Sequence, residues 1–500
     1  MASDVEGVSS LFEIAFDPPP GGSRRSAESV YAQLRVAILD GRLVAGSKLP
    51  GERQSAVFFR VSRNTVARAY ARLAIEGLVQ ARQGSGTYVA LRQSHPPRER
   101  FLTQQTPDPR LNSLWSRPEL ARTLNFWHDG QRTRAPGAAA SLDFRPALVD
   151  PRLFPFEIFR RVSAKQLRRM ELKPPAFKSP QGNQGHFPLR TAIATHIGIS
   201  RAVVCEPDDV LVTAGAQQAF DILARVLVTP GVTTVAIEDP GYPPMRAAFL
   251  AAGAKVVPVA VDAEGLVVDA LPIPVQIVCV CPSHQFPFGV SMSAPRRAAL
   301  LHFARKHGAV IVEDDYDGEF RYDGTPLQAL RSTTTADSVF YVGTFSKCML
   351  PALRLGFVVA PQWAMPTLIS AKNCLDWHCP TLTQMAVARF IADGYLAQHV
   401  RKLRDVYKKR RDLIEEILRS DFSEELSPMQ SHYGMHVAAF STVPKRLERV
   451  TAKLLALDVH LHSFERYFFG APTSEGLVFG YGAVDLKGIE QGLKALRRVL

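Results

Sequence analysis

A chain of 500 residues, 46% hydrophobic and 21% charged, is too long for one ordinary core and is composed like a soluble globular protein, not a disordered or fibrous one. Its formal net charge of +13 favours a polyanionic partner. No apolar run is long enough to span a membrane and no signal peptide opens the chain; the six cysteines form no CxxC pair and no zinc-like Cys/His spacing, so a reduced cytoplasm and no metal site are expected.

Residues 1–23 are a lead broken by Pro18, Pro19, Pro20, Gly21 and Gly22. Residues 24–90 concentrate charge: from Arg24 to Val89 there are eleven basic residues against four acidic ones. Val30, Leu34 and Ile38 are spaced for one face of a first helix. The run from Leu49 to Arg53 opens a short second helix, and Ser62 is the natural N-cap of a third. On that third helix Val66, Tyr70 and Leu73 are expected to face the core, with Arg63, Asn64, Thr65 and Arg68 facing out. Gly77 ends the helix as a C′ glycine. Two strands then pair across Gly84, Ser85 and Gly86, which makes a wing. A helix N-terminus followed by such a wing is a geometry for major-groove binding, although a small helical domain with solvated arginines has the same pattern.

Residues 91–140 are rich in Arg, Pro, Gln and Thr and read as a linker. They hold Leu114, Trp115, Leu120, Leu124, Phe126 and Trp127, so part of this stretch is expected to dock on a neighbouring domain. From 141 to 500, short apolar runs alternate with helical patterns. Runs starting at Val210, Thr234, Ile277, Ala309 and Val339 read as strands buried on both faces, and their series predicts an α/β domain with a central mixed, mostly parallel sheet.

Several strand ends carry chemistry. Lys347 follows one strand, where a lowered pKa would let it form a Schiff base; alone it reads more commonly as a solvated loop lysine. Asp314 and Tyr316 follow another, at the carboxyl edge where α/β ligands bind, and a buried carboxylate there can pair with a pyridinium nitrogen. The Thr213–Gln217 turn leads into a helix whose N–H groups can hold a phosphate. Tyr242 supplies an aromatic ring at a further strand end.

These motifs carry two resemblances. Over about residues 26–90, LPGER…VSRNTVARAYARLAIEGLV…RQGSGTYV resembles the winged helix of GntR-type regulators. The resemblance implies that Arg53, Arg63, Asn64, Thr65, Gln83 and Gly84 meet DNA, beside the capping Ser62 and the outward Arg68. Gly51 stands where that family usually has Ser or Ala, and Ala67 where some members have a further DNA-contacting arginine. From about Phe144 to Leu500 the chain resembles fold-type I aminotransferases that use pyridoxal 5'-phosphate. That resemblance implies that Lys347 forms the internal aldimine, Asp314 pairs with the ring nitrogen, Tyr316 bonds the phenolic oxygen, Tyr242 stacks, and Ala216, Gln217, Thr344 and Arg354 hold the phosphate.

The two together, with the PxHQxPxG signature in Cys281–Gly289, resemble the MocR/PdxR family of bacterial transcriptional regulators. That likeness implies that His284 and Gln285 line the cofactor. It implies a head-to-tail homodimer on a double-stranded operator, cytoplasmic and nucleoid-associated. Pyridoxal phosphate, or an amino-acid effector acting through it, then modulates DNA affinity at genes of vitamin B6 or amino-acid metabolism. Three departures bear on catalysis. Phe286 replaces the asparagine of working aminotransferases, the late strand Gly476–Gly482 lacks the arginine that clamps a substrate carboxylate, and His186 replaces a common tyrosine. Any transaminase chemistry is expected to be vestigial; the alternative is an active aminotransferase with an appended DNA-binding domain.

Overall fold

A computed structural model describes residues 23–82, 84–90, 110, 112–124, 126, 142–174, 183–322, 328–332, 337–430, 432–443 and 447–500. The chain forms two compact units that divide between Thr106 and Pro107.

In the first unit, α1 (Ser23–Leu39) buries Ala27, Val30, Tyr31, Leu34 and Ala37, an i, i+3, i+4, i+7 stripe. α2 (Glu52–Phe59) starts at Gly51 with no side-chain cap, as the glycine there predicts. α3 (Arg63–Ile75) adds Val66, Ala69, Tyr70 and Leu73 to the same core. The buried Tyr70 hydroxyl is satisfied by the Pro50 carbonyl at 2.9 Å. At the end of α3, Gly77 adopts φ +68°. That left-handed turn lets the Gly77 N–H reach the Ala74 carbonyl at 3.0 Å and the Leu78 N–H reach Leu73 at 2.9 Å, a Schellman closure. β1 (Val79–Arg82) and β2 (Gly86–Val89) pair antiparallel, Val79 opposite Val89 and Arg82 opposite Gly86, and so build the expected wing.

The second unit takes in the described part of the stretch expected to be a linker. Its α4 (Pro118–Leu124) packs on the large domain, burying Leu120 and Thr123. β3 (Leu142–Asp143) follows, then α5 (Phe156–Leu172) and α6 (Phe187–Arg201). The main sheet is built from β4 (Val210–Thr213), β5 (Thr234–Asp239), β6 (Lys255–Asp262), β7 (Gly265–Leu266), β8 (Ile277–Val280), β9 (Val310–Asp315), β10 (Val339–Thr344) and β11 (Gly356–Val359). Their order is β4-β11-β10-β9-β8-β5-β6-β7. β6, β5, β8, β9 and β10 run parallel, while β11 is antiparallel to both its neighbours. The mixed, mostly parallel sheet read from the sequence is therefore present, with β11 and the short edge strand β7 reversed.

α7 (Ala216–Leu227), α8 (Pro243–Ala251) and α9 (Ala294–His307) connect strands of this sheet, and α10 (Met365–Leu375), α11 (Thr381–Ala392) and α12 (Tyr395–Asp421) lead away from it. A smaller sheet then forms from β12 (Leu426–Pro428), β13 (His436–Ser441), β15 (His462–Ser463) and β16 (Gly476–Gly480), with α13 (Leu447–Ala456) before and α14 (Leu486–Val499) after its last strands; β14 (Val459–His460) returns to pair parallel with β3. No described helix is long and apolar enough to cross a membrane.

Candidate functional site

Parallel strands bring their carboxyl ends to one edge, and this edge collects the reactive side chains. β4 ends at Thr213, just before the α7 N-terminus; β5 leads to Tyr242, β8 to Phe286, β9 to Asp314 and Tyr316, and β10 to Lys347. Arg354 precedes the reversed β11 and so returns to the same edge. A cavity of about 350 Å3 opens there, lined by Ala147, Ala216, Gln217, Tyr242, Phe286, Asp314, Tyr316, Thr344, Ser346, Lys347, Pro351 and Arg354. Eight of the ten expected cofactor residues meet in it.

Lys347 Nζ donates to the Ala147 carbonyl at 2.6 Å. Burial, aided by the Arg354 charge and opposed by Asp317 and Asp314, lowers its pKa to about 8. The amine is thus held close to a reactive, neutral state near physiological pH. Asp314 sits across the cavity, and burial with the charges of Asp315 and Asp317 raises its carboxyl to about 8. Its Oδ1 is buried and has no hydrogen-bond partner among the described residues. An orphaned carboxylate oxygen in a buried site is costly unless a donor arrives, and a pyridinium N–H is such a donor. At the other end, the Ala216 and Gln217 N–H groups open α7 behind Gly215, Thr344 Oγ1 stands 3.0 Å from Ser346 Oγ, and Arg354 donates to the Ala214 carbonyl at 2.8 Å. Helix N-terminus, two hydroxyls and a guanidinium form an anion cradle. Tyr242 meets Phe286 edge to face at 5.6 Å. The residues present therefore fit pyridoxal phosphate.

Two expected cofactor residues lie elsewhere. His284 and Gln285 are buried behind the cavity wall and do not line it. Gln285 Nε2 donates to the Pro240 and Phe286 carbonyls, both at 2.8 Å, and its Oε1 accepts from the Phe288 N–H, so it holds the loop's shape. His284 Nδ1 lies 3.0 Å from the Tyr316 hydroxyl and 2.9 Å from Asp317 Oδ2. Ala147, Ser346 and Pro351 also line the wall and were not singled out by the sequence; of the three, Ser346 alone carried a signal, being a hydroxyl beside Lys347.

On the first unit, Ser62 Oγ accepts from the Thr65 N–H at 3.2 Å and caps α3. Arg53, Arg63, Asn64, Arg68 and Gly84 are exposed. Arg63 Nε holds Glu52 at 2.8 Å, which presents the guanidinium at the helix start. Thr65 does not face out: it is 4% exposed and its hydroxyl lies 2.9 Å from that of Ser62. Its place four residues before the buried Ala69 puts it on the core stripe. On the wing, Arg82 stacks on Tyr88 at 4.5 Å. Gln83 lies outside the described residues.

Both parts of the chain are similar to known proteins. Residues 26–89 match the bacterial regulatory proteins of the gntR family, and residues 155–474 match the class I and II aminotransferases. The chain is 33% identical to the probable rhizopine catabolism regulatory protein MocR of Rhizobium meliloti over 94% of this chain and 92% of that one. It is 31% identical to the pyridoxine biosynthesis transcriptional regulator PdxR of Corynebacterium glutamicum, over 91% of each. Among solved structures, the multiple substrate aminotransferase of Thermococcus profundus superposes with a TM-score of 0.67 at 26% identity, covering 73% of this chain and 92% of that one. The α-aminoadipate aminotransferase LysN of Thermus thermophilus gives 0.67 at 27% identity, covering 78% and 98%.

Proposed function

The chain belongs to the MocR/PdxR subfamily of GntR-type regulators, and from that premise we propose that its large unit senses pyridoxal phosphate at Lys347 and adjusts how tightly the winged helix holds operator DNA. It is a pyridoxal-phosphate-dependent DNA-binding transcriptional regulator. When bound, the cofactor supplies an electrophilic aldehyde on an electron-withdrawing ring. Lys347 provides the amine, Asp314 Oδ1 accepts from the ring nitrogen, Tyr316 reaches the phenolic oxygen, and Tyr242 stacks. Ala216, Gln217, Thr344, Ser346 and Arg354 hold the phosphate. The observation that carries this reading is the unpartnered Asp314 Oδ1 in one cavity with Lys347.

The effector is the cofactor itself. Among the described residues, the cations lining the cavity are Lys347 and Arg354, and the bound cofactor would engage both. None is left to clamp an amino-acid carboxylate, and Phe286 adds only apolar surface. An amino compound acting through the cofactor is the second reading, and the genes of vitamin B6 or amino-compound metabolism are its targets, as the PdxR and MocR relatives support. Two copies bind two half-sites as a head-to-tail dimer, which light scattering on the full chain checks; a monomer mass on operator DNA contradicts it.

The signal leaves the cavity through Tyr242. Phe126 meets the Tyr242 ring at 6.3 Å and Tyr467 at 6.2 Å, just beyond α4. Thr123 Oγ1 accepts from Arg246 Nε at 3.3 Å, which fixes α4 on α8. The test is a gel shift with the full chain on DNA it selects from a random pool. Pyridoxal phosphate is expected to change the affinity of the wild type and not of Lys347→Ala. Equal affinity of the wild type with and without it overturns the reading.

A further inference from the structure

The signature residue His284 is left without a role once the cavity wall is drawn, yet it is among the most enclosed side chains in the unit. Its Nδ1 faces two groups at once, Asp317 Oδ2 at 2.9 Å and the Tyr316 hydroxyl at 3.0 Å. His436 flanks it, ring centroids 4.6 Å apart, and is itself held by the Pro287 carbonyl at 2.9 Å. Gly434 closes the other side, where a Cβ would overlap the imidazole. The backbone is fixed as well, since the Gly434 carbonyl accepts from the Tyr322 and Tyr481 hydroxyls at 2.7 Å each. A ring held on so many sides cannot turn to serve another partner.

An imidazole nitrogen carries either one hydrogen or one lone pair. With a hydrogen on Nδ1, both Asp317 and the Tyr316 oxygen can accept it; Nδ1 then takes no hydrogen from Tyr316, and Asp317, which also lies within hydrogen-bond reach of the Tyr316 hydroxyl, is occupied by the imidazole, so the Tyr316 O–H is released from the cluster. Tyr316 lines the cavity, so away from the cluster is toward the ligand. Without that hydrogen, the Tyr316 O–H turns back, to a bare Nδ1 or to Asp317, and the cavity loses a donor. Phe286, which meets the Tyr316 ring edge to face at 5.9 Å, brings no donor to replace it.

We propose that Asp317 and His284 are positioning residues that act through Tyr316: Asp317 keeps the hydrogen on His284 Nδ1, and His284 aims the Tyr316 hydroxyl at the cofactor's phenolic oxygen. The proposal rests on the binding of pyridoxal phosphate at Lys347 argued above. A hydroxyl aimed at that oxygen drains the negative charge that holds the proton on the lysine-bound nitrogen. The aim thus sets the pH at which the visible band of the loaded protein changes. The titratable and charged groups facing the cluster are Asp314, Asp315, Glu319, Cys281, His436, Lys347, Tyr322 and Tyr481. Each stays in place in the variants below.

The experiment is a pH titration of the visible band of the full-length, cofactor-loaded protein. Tyr316→Phe is expected to raise the midpoint by roughly one pH unit. His284→Gln, which loses the donor at the Nδ1 position, raises it in the same direction, and so does Asp317→Asn. His284→Asn keeps an N–H near that position and stays close to the wild type. The double variant with His284→Gln and Tyr316→Phe matches Tyr316→Phe alone. A wild-type midpoint in His284→Gln overturns the proposal, as does full additivity in the double variant. Where His284→Gln does not fold, Asp317→Asn decides by the same criterion. No visible band in the wild type would instead overturn the cofactor reading beneath it.

Discussion

Buried charge is the main lever of this molecule at the scale of single residues, and it gives a pH dependence with a definite sign. Asp314 and Glu238 are pushed up to about 8 and Glu313 to about 7, chiefly by burial. Folded, these groups bind protons that the unfolded chain has released above its ordinary carboxyl range. Their contribution to stability is therefore present at low pH and lost as pH rises through 7 to 8. Lys347, depressed to about 8, works in the opposite sense and only above that pH. Buried His399, His436 and His462, all depressed by burial, oppose that loss below about pH 6.5, so the cofactor-free protein is expected to melt at progressively lower temperature from about pH 6.5 to about pH 8. With pyridoxal phosphate bound the fall is shallower, because the ring N–H gives Asp314 a partner for its charge. Scanning calorimetry across that range checks both, and a flat cofactor-free profile would contradict the burial argument. Lys347, Asp314, Tyr316 and Tyr242 were legible in the sequence because a strand end fixes where the next few side chains go. His284 and Gln285 were not, because they sit in a loop where side-chain direction depends on partners far along the chain, Asp317 and Gly434 among them.

Helices show the same division between what is local and what is not. The third helix of the DNA-binding unit was readable end to end, since cap, stripe and C′ glycine are all coded within sixteen positions, Ser62 to Gly77. Thr65 was misplaced because its outward reading ignored Ala69, one turn on, which draws it onto the core face. Removing the cap tests this locality. Ser62→Ala removes the side-chain acceptor of the Thr65 N–H, which keeps only the Ser62 carbonyl at 3.0 Å, and is expected to weaken the first turn of α3 by about 1 kcal/mol. Hydrogen exchange in the full chain should then quicken at Thr65 and Val66 with little change at Leu73; uniform quickening along α3 would mean that the cap supports the whole unit. In the large unit, β11 escaped notice because a short buried run reads the same in either direction. The docking of α4 was anticipated only as apolar residues in a linker, and its partner, α8, lies too far along the chain to be inferred from pattern.

At the scale of the whole molecule the question is how a cofactor cavity in one unit alters DNA affinity in another. Coupling between two binding events is reciprocal: a factor by which pyridoxal phosphate changes operator affinity is the factor by which operator changes pyridoxal phosphate affinity. Typical couplings are about 1–3 kcal/mol, or roughly 5–150-fold, which both titrations can resolve. The one described stretch between the winged helix and the large domain that touches the cavity wall is the α4 segment, through Phe126 on Tyr242. Phe126→Ala removes that ring while leaving every cavity-lining residue in place. It is expected to keep the visible band and near-normal operator affinity without cofactor, yet to lose most of the change that cofactor causes. By reciprocity it must also lose most of the effect of operator on cofactor affinity. A variant that keeps full coupling in both directions would show that the signal leaves the cavity by another wall. Loss in one direction alone breaks linkage and would mean that the two titrations are reporting different species, a change of oligomeric state being the first to examine. Loss in both, with Tyr242 still seated, assigns the transmission to the aromatic contact at the end of α4.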